Sequence, residues 1–512
     1  MNHSLRAVRP TSPRKQLTLC ISTLLLGSVA TSSPAAEVWY VNSCDDSVSG
    51  DPSNPHSGTL RFAVANAASG DTVDLQALSC SGSKISLATG SIEIAQDNLT
   101  IVGPGSSALQ IDGSNDNPGL LGDYRILTHT GNGLLTLKNI GLTAGHVYHV
   151  AASYPSRGGC INSNGSLYLY GVVAHDCSAS SNGDLALGGG IYAKGDVGLY
   201  GSTLTGNSAL SGTSDAIGGG VYTTGKLTLS RSIISGNSAN SSTSAAAGGG
   251  RMVDVDVTYS TISNNSTTGY YAIGGGILAS GAAYISKSTI SGNSAGGSIG
   301  GLALFGGNFL GKKLTILSST VSGNSAGGLV GGLYTDAGYS IVIASSTIAY
   351  NSAGSAKTAT DYFGSGVAIG AKAADVHVEI NNSILSSNTC GASEDDLSVA
   401  GYGITVKGAS NLIRFSSASL SLPIDTQSGC PLLGPLRDNG GPTATHALMS
   451  SSPALDAGNI FFLFDGTDQR GSDYLRPSIS LNTPAVVDIG AYEVQQYDVV
   501  FNTAFDGCSA PP

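Results

Sequence analysis

Arg251, Asp254 and Asp256 stand close together in a stretch that is otherwise almost free of charge. Two carboxylates at such spacing can divide acid and base roles on a sugar, and an arginine beside them can neutralise a substrate carboxylate. A second set recurs at one offset. Arg231, Tyr259 and Lys287 each precede an asparagine by six residues, before Asn237, Asn265 and Asn293, and Gly201 and Ser318 hold the same place before Asn207 and Asn324. On consecutive repeat units they would form an exposed column, an aromatic platform flanked by cations and suited to an acidic sugar chain. The plainer reading of both sets is a solvated face with an ion pair or two. Asp465, Asp468 and Asp473 surround Gly466 and Arg470 in an acid-rich turn that could hold calcium, without the fixed spacing of a known calcium loop. His146, His149, His175 and Asp176 read as surface polarity, and Glu394-Asp395-Asp396 as a solvated loop. No CxxC and no Cys/His cluster suggests a structural metal.

Residues at one offset meet in space only if the chain repeats. Gly158-Gly159-Cys160-Ile161 aligns with Gly188-Gly189-Gly190-Ile191 and with Gly218-Gly219-Gly220-Val221, and the glycines return at Gly248, Gly274, Gly300 and Gly331. Each unit then carries an alternating run such as Leu227-Thr228-Leu229 and a Ser-Thr-Ile-Ser-Gly-Asn-Ser phrase. Its asparagine falls at Asn207, Asn237, Asn265, Asn293, Asn324 and Asn351, and again at Asn388. Units of roughly 26 to 31 residues with three short period-2 runs are single coils of a solenoid. One coil cannot bury its inward face; stacked coils can, each strand pairing in parallel with its equivalents above and below. The spacing therefore predicts a right-handed parallel β-helix, crossovers of this kind being right-handed by strand twist. It also predicts that the asparagines form one hydrogen-bonded column at a tight corner. A helical array fails, because glycine triplets would cost about 1 kcal/mol per residue.

Composition agrees. The 72 glycines among 512 residues are about twice the usual share, and charged residues are only 11 %. The net charge is −11. With no basic stripe, nucleic acid and anionic membrane are excluded as partners. Arg14-Lys15 followed by the apolar run Leu17 to Ala30 reads as an export signal, residues 1–36, cleaved near Ala35 or Ala36; no later stretch is apolar enough to span a bilayer. Export permits disulfides. Eight cysteines less Cys20 leave seven, so one thiol stays unpaired or intermolecular. Cys160 replaces the repeat glycine and Cys177 the repeat asparagine within one coil, which predicts a disulfide between them. Leu60, Ala63, Val64 and Ala67 fit one helical face, and the helix they predict, ended by Gly70, caps the first coil.

These motifs carry a resemblance. The Gly-Gly-x-Ile and Ser-x-x-x-Gly-Asn-Ser repeats resemble the polymorphic outer membrane protein repeats of bacterial right-handed β-helix proteins. Thr59-Leu60-Arg61-Phe62-Ala63-Val64-Ala65-Asn66-Ala67 is similar to the CSLREA-type N-terminal motif of such exported proteins. Asp438-Asn439-Gly440-Gly441-Pro442, Asp468-Gln469-Arg470-Gly471 and Asp488-Ile489-Gly490-Ala491-Tyr492-Glu493 resemble the choice-of-anchor Q domain. The resemblance implies an exported, surface-associated or secreted protein but no particular reaction. The expected organisation is a signal at 1–36, a cap at 37–84, β-helix repeats at 85–425, a closing segment at 426–495 and a tail at 496–512. The expected function is a monomeric, non-catalytic scaffold that presents a repetitive face to a polysaccharide or cell-surface glycan, with no cofactor unless calcium binds. A lyase or hydrolase acting on an acidic polysaccharide is the alternative.

Overall fold

Alternating runs of three to five residues, each broken by Gly, Asn or Ser, leave the chain no way to continue a strand and every reason to turn a corner. One coil shows the result: Val197–Tyr200, Thr203–Thr205, Ser208–Ser211, Ala216–Ile217 and Val221–Thr223, after which Leu227–Ser230 begins the next. We name the sheets I to V in that order. The structure is a computed structural model and describes residues 35–114, 123–149, 154–305, 312–336, 339–354, 364–370, 376–400, 404–417, 420–477, 486–495 and 498. Within these, sheet I holds 13 strands, sheet II 12, sheets III and V 11 each and sheet IV 5. Strands of successive coils pair in parallel and in register, as in Thr203↔Ile233 and Ile233↔Thr261. The fold is the expected right-handed parallel β-helix. The export signal lies outside the described residues but for Ala35 and Ala36, and the tail but for Asp498. No helix among the described residues is long and apolar enough to cross a membrane.

Parity fills the core. Leu204, Ile234, Ile262, Ile290, Val321 and Ile348 stack in register on the inner side of sheet II, all fully buried. Burying each such side chain stabilises by about 1.5–3 kcal/mol. Between sheets III and IV the space narrows and small side chains fill it, chiefly Ala186, Ala209, Ala216, Ala239 and Ala245.

The glycines and asparagines of the repeat meet at the neck between these two regions. Each asparagine Nδ2 donates to the Oδ1 of the next: Asn207 to Asn237 at 2.9 Å, and so on through Asn265, Asn293, Asn324 and Asn351 to Asn388. Each Oδ1 also accepts the backbone N–H of the coil before it, and each Nδ2 also reaches a carbonyl of that coil, such as Leu204 O from Asn237 at 3.0 Å. The column ends on Asp396, whose Oδ1 accepts from Asn388 at 2.7 Å and whose pKa is pushed up to about 6 by burial. A Cβ on Gly190 would lie 2.9 Å from Asn207 Cγ, and one on Gly276 3.1 Å from Asn293 Cγ. In the first repeat coil that contact is covalent: Cys160 and Cys177 form a disulfide. Cys44 and Cys80 form another, Cys430 is disulfide-bonded, and Cys390 is a buried thiol. Replacing Asn237 with Ala strands Leu204 O and the amides on either side of it, and we expect a loss of about 1–3 kcal/mol in chemical denaturation. No loss would mean that the column carries no stability.

The cap helix is Leu60–Asn66, one turn shorter than its pattern suggests, with Thr59 Oγ1 accepting from Phe62 N at 3.2 Å. Leu60, Phe62, Ala63 and Val64 join the core. At the other end the described residues of 411–427 turn over the last coil, with the Leu412↔Gln427 bridge and the partly buried Leu420 and Leu422 against the core. The chain from Leu433 to Glu493 then runs back along the outside of sheet II. The reason is a column of hydroxyls there, Thr289↔Thr320↔Thr347. Thr289 Oγ1 donates to Ala444 O at 2.7 Å, Thr320 Oγ1 to Gln469 Oε1 at 2.6 Å, and Thr347 Oγ1 accepts Ala491 N–H at 3.0 Å. His446 is fully enclosed at this seam. Its Nδ1–H donates to Gly434 O at 2.7 Å and its Nε2 accepts from Ser322 Oγ at 2.8 Å; burial pulls its pKa down to about 4, so the ring is neutral.

Candidate functional site

On sheet I, Val255 and Val257 point inward and Asp256 outward; one coil on, Ala283 and Ile285 are inward and Tyr284 outward. The register therefore sets Thr228, Asp256, Tyr284, Thr315 and Val342 side by side on the outer face. The last four floor an open groove of about 400 Å³ whose walls include Lys226, Asp254, Lys313 and Phe464, the last from the returning C-terminal segment. Lys226 Nζ lies 3.3 Å from Asp256 Oδ2. Asp254 Oδ1 accepts the Ala282 N–H at 2.6 Å, holding the turn into the strand. Tyr284 keeps 40 % of its surface exposed at the groove floor.

The same outer face continues toward the N-terminus as a tyrosine cluster. Tyr170 and Tyr200 stack with centroids 4.7 Å apart, Tyr168 meets Tyr200 edge-on at 5.9 Å, and Lys138 Nζ sits 5.8 Å from the Tyr170 ring. Gly198 makes this packing possible, since a Cβ there would lie 2.7 Å from the Tyr200 ring. Burial and the neighbouring tyrosines hold the Tyr200 phenol above its ordinary pKa, with a further push from the Asp256 charge. Cluster and groove are thus one surface. None of its tyrosines is apparent from residue type alone; the signal is that Tyr170 and Tyr200 occupy one repeat position at an outward parity.

The expected sites fare differently. Arg231, Tyr259 and Lys287 do stack: the Arg231 guanidinium is 4.9 Å and Lys287 Nζ 5.5 Å from the Tyr259 ring. All three turn the corner between sheets I and II in the left-handed conformation, with φ of 50°, 49° and 50°. Arg231 stays exposed, but the rest of the column is covered: Lys287 is buried, bound to Asp465 and Thr467, and Gly471 lies against the Tyr259 ring. Tyr259 and Lys287 seat the C-terminal segment.

Arg251 does not converge with Asp254 and Asp256. Its coil is one residue short before the strand, so Gly250, not Arg251, aligns with Val221 and Ile277 in the core, and Met252 fills the missing volume. Arg251 aligns with Tyr222 and Leu278 on the outside of sheet V. The acid-rich turn is likewise dispersed. Asp465 pairs with Lys287, while Asp468 pairs with Arg470 at 2.8 Å in a fully buried contact. Among the described residues no three His, Cys, Asp or Glu side chains come together as a metal site.

Fold and site define a parallel β-helix with a groove of tyrosine, acid and lysine side chains on one face. No protein-family model matches the chain, and no curated protein sequence does. Among solved structures it is similar to a pectate lyase, Pel9A, at 12 % identity and a TM-score of 0.35, over 89 % of this chain and 96 % of that one. The strand register, not this likeness, defines the fold.

Proposed function

We propose that the protein is an exported β-helix that holds a glycan along the outer face of sheet I. The observation that carries this reading is the continuity of the tyrosine cluster with the open groove. Ring faces accept the apolar faces of sugars while flanking Lys and Asp bond hydroxyls. Two disulfides suit an oxidising, extracytoplasmic compartment, and the resemblance of its C-terminal motifs to an anchoring domain suits a cell-surface location.

Catalysis has one observation in its favour, the presence of two carboxylates and two lysines at the groove. Against it, Asp254 is spent on the Ala282 amide and Asp256 on Lys226. The test is to titrate the exported chain with a panel of neutral and acidic polysaccharides, following binding and unsaturated-product absorbance together. Retention by at least one glycan, weakened roughly three- to tenfold by Tyr170→Ala or Tyr284→Ala, is expected. Product release that disappears on Asp256→Asn would move the function to a polysaccharide lyase, and unchanged retention in both tyrosine variants would remove the groove from the reading.

A further inference from the structure

A second column stands on the outside of sheet V, away from the groove's sheet. Tyr192 and Tyr222 are in register on consecutive coils and stack almost parallel, with centroids 5.4 Å apart and planes 5° from parallel. Arg157, on sheet IV, reaches across to one end, its guanidinium 5.0 Å from the Tyr192 ring, while Asn162 holds the register position beside Tyr192. Arg251 follows Tyr222 in register at the other end. Four other arginines pair with carboxylates, Arg61 with Asp46, Arg414 with Glu394, Arg470 with Asp468 and Arg476 with Glu493, while Arg231 lies over the Tyr259 ring. Arg157 and Arg251 are both half-buried and pair with no carboxylate among the described residues. Arg157 Nε is enclosed without a hydrogen-bond partner, and the Arg251 side chain donates to the carbonyl of its neighbour Met252. Withholding acids from two partly desolvated guanidinium groups is costly in a chain with 34 acidic and 23 basic residues. The cost falls if a bound anion supplies the missing charge.

We propose that Arg157, Tyr222 and Arg251, the half-buried members of the column around the buried Tyr192, bind an anionic glycan laid along the solenoid axis. Arg157 and Arg251 take its planar oxyanion groups, carboxylate or sulfate ester, through paired N–H donors, and Tyr222 meets a sugar face between them. The fork of a guanidinium matches such groups in a way that a lysine does not. Coils about 4.8 Å apart place the two cations roughly 14 Å from each other, several sugar units along a chain. Widely spaced charges on an acidic protein favour a sparsely charged polymer over a nucleic acid, which requires a dense basic track. The site is separate from the sheet I groove and does not depend on it.

The probes are a pectin with few free carboxylates, a lightly sulfated dextran and neutral dextran, titrated calorimetrically at about 0.1 M salt. Binding to at least one anionic polymer and not to dextran is expected, and the polymer that binds identifies carboxylate or sulfate as the ligand group. Arg157→Gln and Arg251→Gln each weaken it about tenfold or more, with thermal midpoints unchanged. Lys407→Gln, which removes an exposed cation from the strand Val406–Ala409, leaves it intact. Should either arginine variant fold poorly, phenylglyoxal labelling of the unmodified protein decides: the bound polymer slows modification of Arg157 and Arg251, read by peptide mass spectrometry. Equal labelling with and without polymer, or equal affinity in the folded double variant, overturns the proposal.

Discussion

Gly275→Ala destabilises the solenoid by about 3 kcal/mol, at the upper end of what overpacking costs. The methyl group would stand 2.4 Å from Ser294 O, 2.5 Å from Ser294 C and 2.6 Å from Gly300 O. All three are backbone atoms, and two belong to the residue that follows the ladder's Asn293. No rotamer change relieves the clash. Either Ser294–Ala295 withdraws from its neighbours in sheet III, or the glycine strand of the next coil does, and both carry bonds on each side. A local parting then propagates, since each coil is stabilised only by the coils it touches. Gly466→Ala is the control, because a Cβ there meets nothing within 4 Å. Chemical denaturation of the two variants checks the claim. A difference under about 0.5 kcal/mol, the scatter of surface substitutions, would show that the neck can widen.

The neck is also where the sequence is easiest to read. In a solenoid, repeat position maps onto place in space, so Gly-Gly and Asn at constant offsets must each stack, and Cys160 and Cys177 at those two offsets must meet. The same logic placed Arg231, Tyr259 and Lys287 in one column correctly. It failed on the exposure of Tyr259 and Lys287, because the cover comes from Asp465, Thr467 and Gly471, which lie outside the repeats and far along the chain. It failed on the expected grouping of Arg251 with Asp254 and Asp256, because a one-residue deletion puts Gly250 in the core position and Arg251 on the other face of sheet V. The groove was half legible: Asp254 and Asp256 were singled out, whereas Tyr284, Lys226 and Lys313 need the register to be seen as neighbours, and Phe464 needs the path of the returning segment. That path is set by single hydroxyl contacts such as Thr289 with Gln469, 180 residues apart, and no periodicity encodes it.

Removing Arg470 unfastens the returning segment while leaving the solenoid folded. The side chain is fully enclosed, its guanidinium 3.8 Å from the Tyr474 ring and 3.9 Å from the Tyr492 ring. It donates to Asp468 Oδ2 at 2.9 Å and to the Glu493 carbonyl, so it ties the turn at 468–474 to the last described stretch of chain. Asp468 is equally enclosed, and its Oδ2 also accepts the Glu493 N–H at 2.9 Å. Arg470→Met keeps much of the volume but leaves the Asp468 charge buried without its cation, which costs about 3–5 kcal/mol. The loss falls on this segment because Gln469, next in the chain, is the residue that docks it on Thr289, Thr320 and Thr443. Amide exchange should therefore quicken across 433–495 and remain slow across the asparagine column, with far-ultraviolet circular dichroism little changed. The double variant Asp468→Leu with Arg470→Met should recover part of the loss, since it removes the bare charge along with its partner. Exchange that quickens equally in the segment and the column would show that the two unfold as one unit. Exchange that quickens in neither would mean the hydroxyl contacts on sheet II hold the segment without the buried pair.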